Sequence, residues 1–432
     1  MIKNIFVAGM DEFHLTQLLS LKKAAAYRFH SLISYEEIKC GETFPVQEFA
    51  RQAKKILQGF DGSVDAIVGF WDFPVSTVLP YIRSFAGLDG PDLTSVLKCE
   101  HKYWSRLLQA EVVPELIPQF CKIDPFSGDA VKDCTLHYPF WIKPVKSVLS
   151  HLGFLVRNDK EFAACLQIIR QNISRYADPF NFILDLADIP NDIRKIDGYH
   201  CIAEELISHG RQCTLEGYVQ NASVQVYGVI DSIREGLHES CFSRYQYPSS
   251  LPHEVQQRMI EATVKVLEHM GYTNAPFNIE FYWDEEADSI HLLEINTRIS
   301  KSHCPLFKMV DGEYHHDVMI DVALGKKPDF PYRKGKFKAA AKFMIRKFSQ
   351  GKVYEVPEPH AIKEVQMLFP ETEIIINVNR GMHLSEMKDQ DSYSFEICDL
   401  FMGAGSHDEL INNYHKALSM LPFDIEKNGT TL

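Results

Sequence analysis

The stretch His291–His303, HLLEINTRISKSH, carries Glu294, Asn296 and Arg298 at alternate positions of a β-rich run. Alternation along a strand sends positions i, i+2 and i+4 to one face, so these three polar groups converge while Ile295 and Thr297 look the other way. The preceding FNIEFYWDEEADSI completes a hairpin. With DEEAD, Asp284–Asp288, as a five-residue loop, Trp283 faces Ser289, Asn278 faces Glu294, and all even-numbered residues share one face, which adds Glu280 to the group. Diagonal neighbours on paired strands lie about 7–8 Å apart, near enough for two carboxylates to hold a small divalent cation. Magnesium binds through few protein carboxylates and completes its octahedron with water and substrate phosphates. Glu280, Glu294 and Asn296 are the metal candidates on this reading. Arg298, one step further along, suits an anionic substrate or a developing oxyanion.

Around this hairpin lies a chain of 432 residues, 45% hydrophobic, which is long enough for three or four packed units. Its formal net charge of -13 disfavours general attraction to phosphate backbones or anionic membranes, so neither a nucleic-acid nor a membrane partner is expected. The 10 cysteines include no CxxC pair and read as reduced, mostly buried thiols of a cytoplasmic protein. MIKNIFVAGM has too short an apolar run for a signal peptide, and no stretch approaches the roughly 18 apolar residues that span a bilayer.

Secondary-structure signals alternate at first. NIFVAG reads as a strand, FHLTQLLSLKKAAAY and FARQAKKILQGF as helices, VDAIVGF as a buried strand and STVLPYIRSFAGL as a helix. This order predicts a parallel, doubly wound α/β unit to about residue 95, without a GxGxxG dinucleotide fingerprint. KCEHKYWSRLLQAEVVPELIPQF reads as one helix running into a Pro-containing connection. A strand, loop, strand and helix follow from Tyr138, then a strand at CIAEELI, long strands in GRQCTLEGYVQNASVQVYGVID and a helix at PHEVQQRMIEATVKVLEHM. Near the C-terminus Ser406-x-x-Glu409 has the form of a helix capping box. Lys143 stands out because it sits inside the apolar strand FWIKP, where a charge needs a partner.

The hairpin with its Glu-x-Asn-x-Arg ending, the lysine helix EHKYWSRLLQAEVVPELIPQF, the strand and loop PFWIKPVKSVLSHLGFLV and the strand AEELISHGRQCTLEGYV occur in the order that marks the ATP-grasp superfamily. Over most of its length the chain resembles the carboxylate-amine ligases of that superfamily with a biotin-carboxylase-like layout. The resemblance implies that Glu280, Glu294 and Asn296 hold the metal ions and that Lys102 and Lys143 reach the nucleotide phosphates. It implies that Ser147 and Ser150 lie in the phosphate loop, and that Glu204, Glu205 and the backbone of Leu206 to Ser208 form the adenine hinge. The loop is serine-rich where many relatives are glycine-rich, and Gln212 stands where relatives often carry a ribose-binding Glu. After Arg298, ISKSHCPLF replaces the small-residue run of dipeptide-forming relatives; Lys301 and His303 there suggest either a more anionic substrate or a second anchoring group for a carboxylate, against the plainer expectation that Lys301 points to solvent, as most lysines do.

What the resemblance implies overall is an α/β and α+β chain with the ATP-grasp fold. Residues 1–95 would form a Rossmann-like unit, 96–205 the first ATP-grasp part with a small lid lobe, 206–325 the second part with the metal and phosphate site, and 326–432 a mixed α+β unit on the substrate side. The implied activity is ATP-dependent ligation of a small-molecule carboxylate to an amine through an acyl phosphate, with ADP and phosphate released. ATP with Mg2+, or Mn2+ in its place, would be the cofactors, and the resemblance leaves room for a homodimer. Two alternatives share the nucleotide site: a biotin-carboxylase-type carboxylation and a non-catalytic ATP-binding regulatory protein.

Overall fold

Strand Lys3–Met10 is flanked in parallel by Tyr27–Ser34 and Ala66–Gly69. This first sheet belongs to a computed structural model that describes residues 2–39, 41, 43–148, 151–207, 209–234, 241–388, 390 and 394–426. Helices Glu12–Leu19, Val46–Gly59 and Val75–Ser84 surround it. The helix expected to run on to Tyr27 stops at Leu19, and Tyr27–Ser34 is a strand that the sequence pattern did not disclose. Asp317 and Asp321 draw in Lys23 at 2.9 and 2.5 Å, just ahead of the 3-10 turn Ala24–Ala26, and this long-range pull outweighs the helix preference of three alanines.

A small antiparallel lobe follows, with strands in the order Phe120–Ile123, Cys201–Glu205, Phe140–Pro144, Phe154–Val156. The expected single helix over the lysine segment is two helices, Leu93–Glu100 and Lys102–Val112. His101 breaks it: its backbone is extended, its ring accepts from the Trp104 N–H, and its other ring nitrogen lies 2.7 Å from the Ile196 carbonyl. The break frees the Lys102 N–H for the Val145 carbonyl at 2.9 Å, which seats Lys102 at the first helical position, beside the lobe.

The largest element is an eight-stranded sheet in the order Ser289–Asn296, Ala275–Asp284, Arg211–Gln220, Ser223–Ile233, Arg244–Tyr247, Ala339–Lys347, Phe395–Ala404, Glu373–Ile376. Helix His253–Met270 covers one face through Val255, Met259, Ala262, Val266 and Leu267, which pack on Leu215, Phe277, Ile279, Phe281 and Leu292. Each of these side chains larger than Ala262, fully withdrawn from water, stabilises the fold by about 1.5–3 kcal/mol. The other face carries the polar groups singled out in the sequence. The Ser406–Glu409 cap forms: the Glu409 N–H donates to Ser406 Oγ at 3.2 Å and the Gly405 N–H to Glu409 Oε2 at 2.9 Å. The nine described cysteines are free thiols. Among the described residues no helix is long and apolar enough to cross a membrane.

Candidate metal and phosphate site

The register of the hairpin differs from the expected one. Asp284 pairs with Ser289 and Trp283 with Ile290, so the loop has four residues rather than five, and a bulge at Leu293 inserts one extra residue on the second strand. The bulge reverses the parity of that strand: Ile290 and Leu292 face the core before it and Ile295 after it, so even-numbered residues do not all share a face. Beyond the bulge Glu280 lies directly opposite Glu294 and Asn278 directly opposite Asn296. The two carboxylates are direct cross-strand neighbours rather than diagonal ones, which shortens the span a cation must bridge.

Burial, reinforced by Glu294 alongside, pushes Glu280 up to about 7. Burial alone would raise Glu294 too, but Lys102 and Lys143 outweigh it and hold that carboxyl below its ordinary value. Asn296 Nδ2 donates to Asn278 Oδ1 at 2.9 Å, and Asn278 Nδ2 donates to the Arg298 carbonyl at 3.0 Å. Asn278, seen in the sequence only as a partner for Glu294, is therefore part of the polar face. Gln212 bonds to the metal candidates: its Nε2 donates to Glu280 Oε2 at 2.7 Å from the adjacent strand, where Gln212 lies opposite Tyr282, while its buried Oε1 has no hydrogen-bond partner.

The lysines close over these groups. Lys102 Nζ stands 3.4 Å from Glu294 and donates to the Ser147 carbonyl at 3.1 Å. Lys143 finds the partner its apolar strand demands in Glu204, at 2.6 Å. Glu204 does not present its carboxylate to an open hinge. It is buried between Lys143 and Arg106, whose Nε lies 2.5 Å away, and these cations overcome the effect of burial and hold it down to about 2. Arg106 also donates to the Leu292 and Leu293 carbonyls at 2.9 and 2.8 Å, at the bulge. Between Lys102, Lys143, Glu204 and Glu294 only about 10 Å³ of cavity remains. Glu205 Oε2 accepts from the Gln119 N–H at 3.2 Å, and Leu206 follows it at the end of the strand. Ser150 and Ser208 lie outside the described residues.

Arg298 is turned from the two glutamates toward the N-terminal unit. Its Nη2 is 2.5 Å from Asp72, and its buried Nε has no partner. Arg298 and Lys146 overcome burial and hold Asp72 well below the usual carboxylate range. Lys146 lies 2.7 Å from Glu100, which also accepts from Thr77 and Thr297. No local pattern links Asp72, Glu100, Lys146 and Arg106 in the sequence. Lys301 does not point to solvent: it is partly buried with Nζ 4.5 Å above the Trp71 ring. His303 turns into the core, its Nδ1 2.7 Å from Glu216. Burial raises Glu216 well above its ordinary value and lowers His303 to about 3, so withdrawal from water disfavours the charged form of both partners.

The donor set of Glu280, Glu294 and Asn296 offers hard oxygens suited to magnesium. No group of three or more His, Cys, Asp or Glu side chains gathers at metal-binding spacing among the described residues. A cation here would need further oxygens from a phosphate chain, and the raised Glu280 and orphaned Gln212 Oε1 are the groups it would satisfy.

Residues 246–329, which span the hairpin and Arg298, match the family model for the carbamoyl-phosphate synthase L chain, ATP binding domain. The C-terminal section of the carbamoyl phosphate synthase large chain from Methanopyrus kandleri is 26% identical over 121 residues, a match spanning 27% of this chain and 22% of that relative. Among solved structures, L-amino acid ligase from Bacillus licheniformis superposes with a TM-score of 0.70 over 98% of this chain and 99% of its own, at 15% identity. Biotin carboxylase from Campylobacter jejuni, in a β-γ-ATP complex, gives 0.64 over 99% and 93% at 16% identity. Phosphoribosylglycinamide synthetase from Anaerococcus prevotii gives 0.64 over 99% and 100% at 15% identity.

Proposed function

We propose that this chain, which has the ATP-grasp fold, is an ATP-dependent carboxylate-amine ligase that releases ADP and phosphate. The observation that carries this reading is the direct opposition of Glu280 and Glu294, with Asn296 beside them and Lys102 and Lys143 facing them. Incoming phosphates would draw Lys102 from Glu294 and Lys143 from Glu204, replacing internal ion pairs with charge-assisted bonds to the nucleotide. Glu205 and the Leu206 backbone would meet the adenine edge, with Ser147 bordering the phosphates. Glu280, Glu294 and Asn296 would hold magnesium, which when bound supplies positive charge to the phosphoryl oxygens.

The acid's carboxylate oxygen attacks the γ-phosphorus, the bond to the β-bridging oxygen breaks, and ADP leaves. The amine then attacks the acyl carbon, the carbon–oxygen bond to phosphate breaks, and the amine loses a proton as the amide forms. Arg298 would steady the carboxylate and then the oxyanion through its free Nε. The chemistry requires no covalent bond to the protein.

The test is a panel of amino acids, other carboxylates and bicarbonate with Mg-ATP, read as ADP and phosphate release with mass analysis of products. Hydroxylamine in place of the amine should trap a hydroxamate. AMP and pyrophosphate as products, turnover with bicarbonate alone, or no turnover with any acid would each reject the ligase reading.

A further inference from the structure

Two cations stand in succession on the wall of the site that faces the N-terminal sheet. Arg298 meets Asp72 at 2.5 Å, and three residues on Lys301 lies over the Trp71 ring at 4.5 Å. Trp71 and Asp72 are neighbours in the turn after strand Ala66–Gly69, so one short stretch of the N-terminal unit sets the place of both. Their surroundings differ. Arg298 has its counter-ion, whereas Lys301 has neither an ion-pair nor a hydrogen-bond partner among the described residues. The other lysines of this region, Lys102, Lys143, Lys146 and Lys342, each have a carboxylate within 3.4 Å.

The carboxylates that act on Lys301 electrostatically, Asp399, Glu396 and Asp11, each have another partner. Asp11 accepts from the His14 backbone N–H at 2.7 Å and lies 2.8 Å from the His14 ring. Glu396 is held by Arg346 at 2.5 Å and Lys342 at 3.1 Å, and Asp399 by Lys342 at 3.0 Å. An aromatic face attracts an ammonium but satisfies none of its three donors as an oxygen does, and a withdrawn charge without an acceptor is unfavourable. In agreement, burial and the repulsion of Lys342 bring Lys301 down to about 8. An anion arriving at Lys301 would find a donor-rich cation already positioned.

We propose that Lys301, seated on Trp71, anchors a second carboxylate of the acyl substrate, and that the ligase therefore prefers acids with two carboxylates. This rests on the ligase reading for the identity of the reacting group, which Arg298 would hold. The anion anchor itself can be read without turnover.

The experiment uses the full chain loaded with Mg2+ and a non-hydrolysable ATP analogue. Calorimetry compares succinate and glutarate with butyrate and valerate, and L-aspartate and L-glutamate with L-norvaline, in wild type, Lys301→Met and Lys301→Arg. The wild type should bind the two-carboxylate acids at least about tenfold more tightly than their matched partners, the loss expected for one charge-assisted contact. Lys301→Met should erase that ratio while leaving the analogue's affinity unchanged, and Lys301→Arg should retain most of it. No preference in the wild type, including no detectable binding of either class, or a preference that survives Lys301→Met, overturns the proposal. Lys301-dependent binding without phosphate release from any acid counts against the ligase reading alone. Phosphate release confined to monocarboxylates counts against Lys301 alone.

Discussion

Glu280 and Glu294 show how two identical residue types acquire different chemistry from their neighbours. Glu294 faces Lys102 and Lys143 and stays ionised, whereas Glu280, buried and facing Glu294, is raised to about 7. A carboxyl raised in the folded state binds protons that the unfolded chain has already released, so its contribution to stability falls as pH rises from about 4.5 to about 7. A cation between the carboxylates reverses this. We expect Mg-nucleotide binding at pH 6.5 to release protons, seen as a dependence of calorimetric enthalpy on the ionisation enthalpy of the buffer, and Glu280→Gln to abolish that dependence. Unchanged buffer dependence in the variant would place the proton elsewhere. Glu294→Gln removes a charge from the proposed metal and should lower kcat by about a thousandfold or more, the equivalent of several kcal/mol of lost transition-state stabilisation. Near-normal ADP production by a folded Glu294→Gln protein would refute its assignment.

At the scale of the element, the polar face of the hairpin was legible because three hydrophilic side chains at alternate positions have no place in a core. Its register was not, although a trace of it stands in the sequence. Core residues Ile290, Leu292 and Ile295 are separated by two and then three positions, and that extra step is the bulge. The strand Tyr27–Ser34 and the break at His101 were hidden because their causes are distant: Asp317 and Asp321 for the first, the Ile196 carbonyl for the second. Arg106 was hidden for the same reason. It ties helix Lys102–Val112 to Glu204 of the small lobe and to the bulge carbonyls of the large sheet. Lysine offers a single point charge where this position uses a fork of donors. Arg106→Lys should therefore destabilise the protein by about 2–4 kcal/mol, given the cost of leaving a buried carboxylate and two carbonyls under-satisfied, and urea unfolding would measure it. A loss below about 0.5 kcal/mol, the range of ordinary surface changes, would show that the clamp is dispensable.

Across the whole molecule the eight-stranded sheet joins strands from both sides of residue 325. Arg244–Tyr247 pairs with Ala339–Lys347, and Leu306, Phe307, Met309 and Val310 pack with Ala340 and Phe401 in one cluster. The same C-terminal strands bring Lys342, Glu396 and Asp399 toward Lys301. The small lobe, in contrast, has its own core around Ile123, Phe140, Ile142, Phe162 and Ala203. Ending the chain at residue 325 would leave the edge of Arg244–Tyr247 unpaired and uncover the Phe307 cluster, both routes to aggregation. We therefore expect a fragment of residues 1–325 to be insoluble or unfolded, and limited proteolysis of the intact chain to lose residues 211–325 and 339–404 together rather than in sequence. The small lobe, with a core of its own, should show the earlier cuts. A soluble fragment of residues 1–325 with a cooperative melt and undiminished nucleotide affinity would contradict this coupling, and would assign the strands after residue 339 to substrate selection alone.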